Sequence, residues 1–164
     1  MQGKSMADEK EKKKKKICFA ASSGGHYVQL MKLKTIIQEY DSFVITEYTS
    51  GTRDCPYPVH FLELTNRKEK NFPILMVKNS FKTFKIMLKE RPDFVISTGV
   101  LSMIPACLIG KLLGAKLIYI ESFAKTETPT QTGKLLYHFA DHFMVQWPGL
   151  LKVYPKAVYK GGLY

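Results

Sequence analysis

The chain has 164 residues, 45% of them hydrophobic and 24% charged, which suits one soluble domain with a real core and is too short for two large ones. The formal charge is +11; residues 1–16 hold +4 of it and the remainder +7, so the folded part itself favours a polyanionic partner: nucleic acid, an anionic membrane surface or a phosphorylated ligand. Three cysteines, Cys18, Cys55 and Cys107, lack any CxxC or Cys/His spacing, which gives neither a disulfide framework nor a zinc module and fits a reduced, cytoplasmic setting.

Residues 1–16 contain no apolar run of their own and read as a disordered lysine-rich tail, not a signal peptide, with one domain over 17–164. ICFAA (17–21) reads as a strand, and SSGGH interrupts it before helical spacing over 26–40. FVIT (43–46) and VHFLEL (59–64) are further strands, followed by a helix over 72–90. FVIST (94–98), a helix over 101–113, LIYIE (117–121), a polar loop over 122–131, a helix over 132–140 and FMVQW (143–147) complete the pattern. The segment 100–120 is broken by Pro105, Lys111 and Lys116. It therefore reads as a buried helix and a strand, not as a membrane span. Short, continuously apolar strands alternating with helices predict an α/β fold, a single Rossmann-like doubly wound parallel sheet covered on both faces. Loops leaving the carboxyl ends of such strands build the site, here SSGGH, TEYTSGTRD, STGVLS and ESFAKTETPTQTG.

Within the first of these loops, Gly24 and Gly25 allow close approach of a ligand to the backbone, and Ser22 and Ser23 can add hydroxyl donors. A helix opening at Gly25 or His26 would aim unpaired N–H groups at a phosphate or diphosphate. A tight turn capped by Ser23 explains the same residues without a ligand. The loop is not G-x-G-x-x-G and has no GK[ST], which excludes a P-loop and weakens a dinucleotide site. Glu47, just after the second strand, keeps a dinucleotide-binding oxidoreductase as a rival.

SSGGH, then STG followed by Pro105, then IYIES, then TGKLLYHFADHFMVQWPGLLKVYPKAVYKGG over 132–162 occur in this order. Together they resemble the acceptor-side, N-terminal-type half of a GT-B glycosyltransferase. The set is similar to MurG, and more so to the single-domain PssD-type and Cps-type proteins of exopolysaccharide and capsule synthesis. Those are related to the membrane-anchoring subunit of the eukaryotic transferase that adds the second GlcNAc to dolichol diphosphate. Ala21 stands where the pattern has a glycine.

The resemblance implies one subunit of a two-chain hexosyltransferase, inactive or weakly active alone. It would bind a polyprenyl-diphosphate-linked saccharide as acceptor, while a companion nucleotide-sugar-binding subunit supplies the UDP-sugar. Ser22, Ser23, Gly24 and Gly25 would cradle the acceptor diphosphate or face the donor phosphates across the cleft, with Thr98 and Gly99 at the neighbouring strand end. His26 would contact a phosphate or take the proton from the attacking hydroxyl, work that suits an imidazole. Glu121 is the rival base or a ligand of the acceptor sugar. No cofactor and no metal are expected; His138 and His142 flank Asp141 at helical spacing, but no third ligand is placed. The segment VYPKAVYKGGLY is the expected partner contact.

In the helix over 72–90, Lys78, Lys82, Lys85 and Lys89 share one face, beside an apolar row of Val77, Phe81, Phe84 and Leu88. A basic amphipathic helix next to a lipid-acceptor site would lie on an anionic membrane, with Lys12 to Lys16 as an added arm. The chain would then be peripheral on the inner face of the membrane. A core-packed helix with a solvated lysine face is the plainer alternative. Nucleic acid is not an expected partner, since no RNP motif, zinc finger or recognition helix is present. A scaffold that only recruits the catalytic subunit remains the second functional reading.

Overall fold

The computed structural model describes residues 14–164. Most of the expected lysine tail lies outside these residues. Lys15 and Lys16, its last members, are engaged: Lys15 pairs with Asp93 at 3.1 Å and Lys16 with Glu90 at 2.9 Å. The first strand accordingly opens one residue earlier than expected.

Seven parallel strands form one sheet: β1 (Lys16–Ala21), β2 (Asp41–Glu47), β3 (Val59–Leu62), β4 (Phe94–Gly99), β5 (Lys116–Ile120), β6 (His142–Val145) and β7 (Val158–Tyr159). Their order is β3-β2-β1-β4-β5-β6-β7. The helices are α1 (Gly25–Met31), α2 (Lys34–Glu39), α3 (Phe72–Glu90), α4 (Ile104–Leu112) and α5 (Gln131–Leu136). The helix expected over 26–40 is thus two helices. The N–H groups of Lys32 and Leu33 bond three residues back, to Gln29 and Leu30, which tightens and ends the first one. The short strand β7 had no sequence signal beyond two residues, Val158 and Tyr159.

Period-two alternation in β1 divides the core. Ile17, Phe19 and Ala21 join Tyr27, Leu30 and Ile37 of α1 and α2 on one face. Cys18 and Ala20 face the other side with Met87 of α3 and Ala106 and Cys107 of α4. Burial pushes both thiols up, Cys107 to about 12, so these cysteines are inert core residues.

Helix α3 turns a mixed polar and apolar face to the sheet. Its sheet-facing side carries Asn79 and Thr83 with Ile86 and Met87. Asn79 fastens it by accepting from the Glu63 N–H at 3.0 Å and donating to the Glu63 carbonyl at 2.8 Å. The row of Ile74, Val77, Phe81, Phe84 and Leu88 is exposed, Ile74 by 71% and Phe81 by 67%. Core packing therefore does not account for this row. Among the described residues no helix is long and apolar enough to cross a membrane.

Candidate functional site

The strand order reverses between β1 and β4. The chain leaves β1 toward β2 and β3, then returns to place β4 on the other side of β1. Ligands of open α/β sheets bind at the carboxyl ends flanking such a point, and His26 and Thr98 meet there.

A bulge makes that meeting possible. Ala20 pairs with Ser97 and Ala21 with Gly99, so Thr98 is skipped in the ladder. Bulges of this kind re-aim groups beside sites. The Thr98 carbonyl lies 2.7 Å from His26 Nδ1, and its hydroxyl donates to the His26 carbonyl at 2.8 Å. A carbonyl only accepts, so Nδ1 carries a proton and the tautomer with its lone pair on Nε2 is the one this bond selects. Gly99, at φ +111°, lets the ring lie on the strand end: a Cβ there would come 2.9 Å from Tyr119 OH and 3.5 Å from the imidazole. Val100 follows at φ 88°, a strained conformation for a β-branched residue and one that clusters at functional positions.

A cavity of about 330 Å³ opens at this point, lined by His26, Val100, Tyr119, Thr130, Arg67 and Lys125, among others. Arg67 comes from the loop between β3 and α3, Lys125 from the loop between β5 and α5. Sequence reasoning passed over both as site residues. The loop after β3 lacks any Gly or Ser motif, and Lys125 is one polar residue among many in its loop.

The remaining expected residues fall as follows. Ser22 is buried and turns its hydroxyl to the Ser23 carbonyl at 3.3 Å. Ser23 reaches Glu47 at 3.4 Å. Gly24 and Gly25 are exposed at the start of α1. Thr98 is buried, and it holds His26 instead of facing a ligand. Glu121, expected as a rival base or a ligand of the acceptor sugar, is tied into the protein. It is fully buried, and its carboxylate accepts from the Ser122 N–H at 2.8 Å, from the Thr130 N–H at 3.2 Å and hydroxyl at 2.9 Å, and from the Tyr154 hydroxyl at 2.9 Å. It pins the end of the 122–130 loop beneath the cavity. Burial first, then the Glu121 charge, push the Tyr119 and Tyr154 phenols up, so both remain protonated donors. Glu47 is likewise spent, accepting from the Thr65 hydroxyl at 2.6 Å and N–H at 3.1 Å, which removes the acid on which the oxidoreductase reading stood.

The Asp141 carboxylate between His138 and His142 is taken by Lys111 at 2.8 Å and the Leu117 N–H at 2.8 Å. No group of three metal-ligating side chains occurs among the described residues. The C-terminal segment folds back across the loop after β5: Tyr164 packs on Phe123 at 4.8 Å between ring centres, and the Leu163 N–H donates to Gln146 at 2.9 Å. Gln146 in turn donates to the Glu121 carbonyl at 2.9 Å. Of the lysine row on α3, Lys78 is paired with Glu63. Lys82, Lys85 and Lys89 make no ion pair among the described residues.

Residues 69–163 match the family described as "Oligosaccharide biosynthesis protein Alg14 like". The UDP-N-acetylglucosamine transferase subunit ALG14 of Homo sapiens is 26% identical over 175 residues, covering 88% of this chain and 81% of that protein. The Mus musculus protein of the same name is 28% identical, with 89% and 82% covered. Among solved structures, MurG of Acinetobacter baumannii superposes with a TM-score of 0.66 at 19% identity, over 82% of this chain and 42% of that one. The UDP-N-acetylglucosamine 2-epimerase of Rickettsia bellii gives 0.69 at 11%, over 92% and 45%. The chain spans less than half of these two structures, and the likeness to them is one of fold.

Proposed function

Because this chain belongs to the Alg14-like oligosaccharide biosynthesis family, we propose that it is the acceptor-binding, membrane-associated subunit of a two-chain glycosyltransferase. The donor is a UDP-sugar, UDP-N-acetylglucosamine by analogy with the names of its relatives. The acceptor is a saccharide on a polyprenyl diphosphate, in polysaccharide synthesis of the PssD or Cps type. A companion chain carries the nucleotide-sugar lobe, and the segment ending in Leu163 and Tyr164 contributes to the contact with it.

The observation that carries this reading is the fixed imidazole. The Thr98 carbonyl accepts from His26 Nδ1 at 2.7 Å, and the ring lines a cavity at the switch point of the sheet. Nε2 is then a general base for the acceptor hydroxyl. As that oxygen attacks the anomeric carbon of the donor, its proton passes to Nε2 and the nucleoside diphosphate departs. The Ser22–Gly25 turn, with its two serine hydroxyls already engaged, faces the donor phosphates across the cleft. Helix α3 seats the chain on the anionic inner face of the membrane through Phe81, Phe84, Lys82, Lys85 and Lys89, with Lys78 contributing as part of its pair with Glu63. The loop carrying Arg67 runs directly into this helix, so the cavity wall and the lipid-facing helix are continuous.

The test is sugar transfer by the reconstituted pair. Loss of a general base lowers kcat by about 10²–10⁴, so His26→Ala is expected in that range while co-purification with the companion persists. Full activity of His26→Ala would leave the chain as a recruiting scaffold.

A further inference from the structure

The cavity beside His26 is lined by two cations. Several other basic side chains sit beside acids: Lys16 by Glu90, Lys78 by Glu63, Lys111 by Asp141. Arg67 and Lys125 line the cavity on two separate loops, and neither side chain has an ion-pair partner among the described residues. No carboxylate lines the cavity. Glu121 beneath it is closed off by Thr130 and Tyr154, and Glu47 by Thr65. Two uncompensated cations facing one partly enclosed space favour an anion of more than one charge between them.

The hydroxyls of the Ser-Ser-Gly-Gly turn cannot take that load. Ser22 and Ser23 are bonded within the protein, and none of Ser22, Ser23, Gly24 and Gly25 lines the cavity. We propose that Arg67 and Lys125 are the two arms of a clamp that holds the diphosphate of the acceptor, placing its first sugar against His26. This rests on the acceptor-site reading given above. A diphosphate suits the pair chemically. One phosphoryl group offers two oxygens to the planar guanidinium, and the other meets the ammonium as a point charge. Thr130 and Thr132 line the same cavity and add hydroxyl donors. Orthophosphate offers one phosphoryl group where the diphosphate offers one to each arm.

The experiment titrates inorganic pyrophosphate, a short-chain prenyl diphosphate, orthophosphate and UDP into the full chain by calorimetry. A hydrogen bond to a charged group is worth roughly tenfold or more. R67Q and K125Q are each expected to weaken pyrophosphate and prenyl diphosphate about tenfold, and together about a hundredfold. Orthophosphate should bind more weakly than pyrophosphate and respond to only one of the two changes. K68Q/K70Q removes two nearby charges outside the cavity and is expected to leave the affinity within about twofold. Circular dichroism of each variant shows that the fold is kept.

Unchanged pyrophosphate affinity in R67Q/K125Q would overturn the clamp, as would an equal loss in K68Q/K70Q. A loss of UDP affinity in R67Q/K125Q matching that of the prenyl diphosphate would also overturn it, by giving the clamp to the donor. Failure of the broader reading shows elsewhere, in full transfer by His26→Ala, a measurement that pyrophosphate binding does not enter.

Discussion

Replacing Lys82, Lys85 and Lys89 together by Gln is expected to release the chain from anionic membranes. Each lysine near such a surface contributes about 1 kcal/mol, so three remove about 3 kcal/mol, or roughly 150-fold in partition. Lys78 and Glu63 form a self-compensated pair, and K78Q/E63Q is expected to change partition by less than about twofold. The apolar share is separable. Phe81 is 67% and Phe84 43% exposed; for rings of about 200 Å² this is about 220 Å² of surface, worth up to about 5.5 kcal/mol on full burial at 25 cal/mol/Å². F81S/F84S should therefore abolish binding at any ionic strength, whereas the lysine contribution fades as salt shortens the Debye length. The assay is flotation with phosphatidylglycerol vesicles at low and high salt, against neutral phosphatidylcholine. Undiminished flotation of the triple lysine variant, or of F81S/F84S, refutes the assignment of this face.

Three further outcomes follow from the site and its support. Gly99→Ala puts a methyl group 2.9 Å from Tyr119 OH at φ +111°; it should cost about 1–3 kcal/mol in urea unfolding and displace the imidazole, so that transfer falls more than stability does. Glu121→Gln sets an amide N–H₂ against a donor, Thr130 or Tyr154, and should destabilise by about 1–3 kcal/mol; a change under about 0.5 kcal/mol would show that the carboxylate does not anchor the loop. The Lys111 ammonium, foremost, holds the Asp141 carboxyl at about 2 against an ordinary 3.8. A depressed folded value means that this stability is present above about pH 4 and is lost as pH falls toward 2; screening leaves it at about 1 kcal/mol. Asp141→Asn should lower the melting temperature at neutral pH and flatten its fall between pH 4 and 2.

Strand positions and the alternation of β and α were legible because apolar runs and turn residues follow burial directly. β1, β2, β4 and β5 fall within two residues of expectation at either end. The place of His26 at the first strand-to-helix turn was legible because the Gly-Gly-His run follows an apolar strand directly. What holds His26 was not. The skipped residue at Thr98 arises from the pairing of β1 with β4, and register is invisible in either strand alone. The bonds that hold Glu121 were hidden for a related reason. A strand-end acid looks solvated until Thr130 and Tyr154, remote in sequence, close over it. In α3 the spacing revealed the apolar and lysine rows, but periodicity does not say that a third face, with Asn79 and Thr83, turns inward. Asn79 decided that by bonding the Glu63 backbone. Arg67 and Lys125 become neighbours only through the sheet order, which no local pattern encodes.

The pairing that builds the site also fixes when the site can exist. Ile17 pairs with Ser42 in β2 and with Phe94 in β4. Closing the longer loop costs about 1 kcal/mol more in chain entropy than closing the shorter. Contacts so distant in sequence are reached slowly. The His26–Thr98 bonds span 72 residues and form only after β4 has docked. A nascent chain can thus complete β1 and β2 while its imidazole is still unrestrained. Protection of the His26 and Thr98 region from hydrogen exchange should therefore lag behind that of β2 during refolding, so that the cavity beside His26 acquires its native chemistry later than the neighbouring sheet.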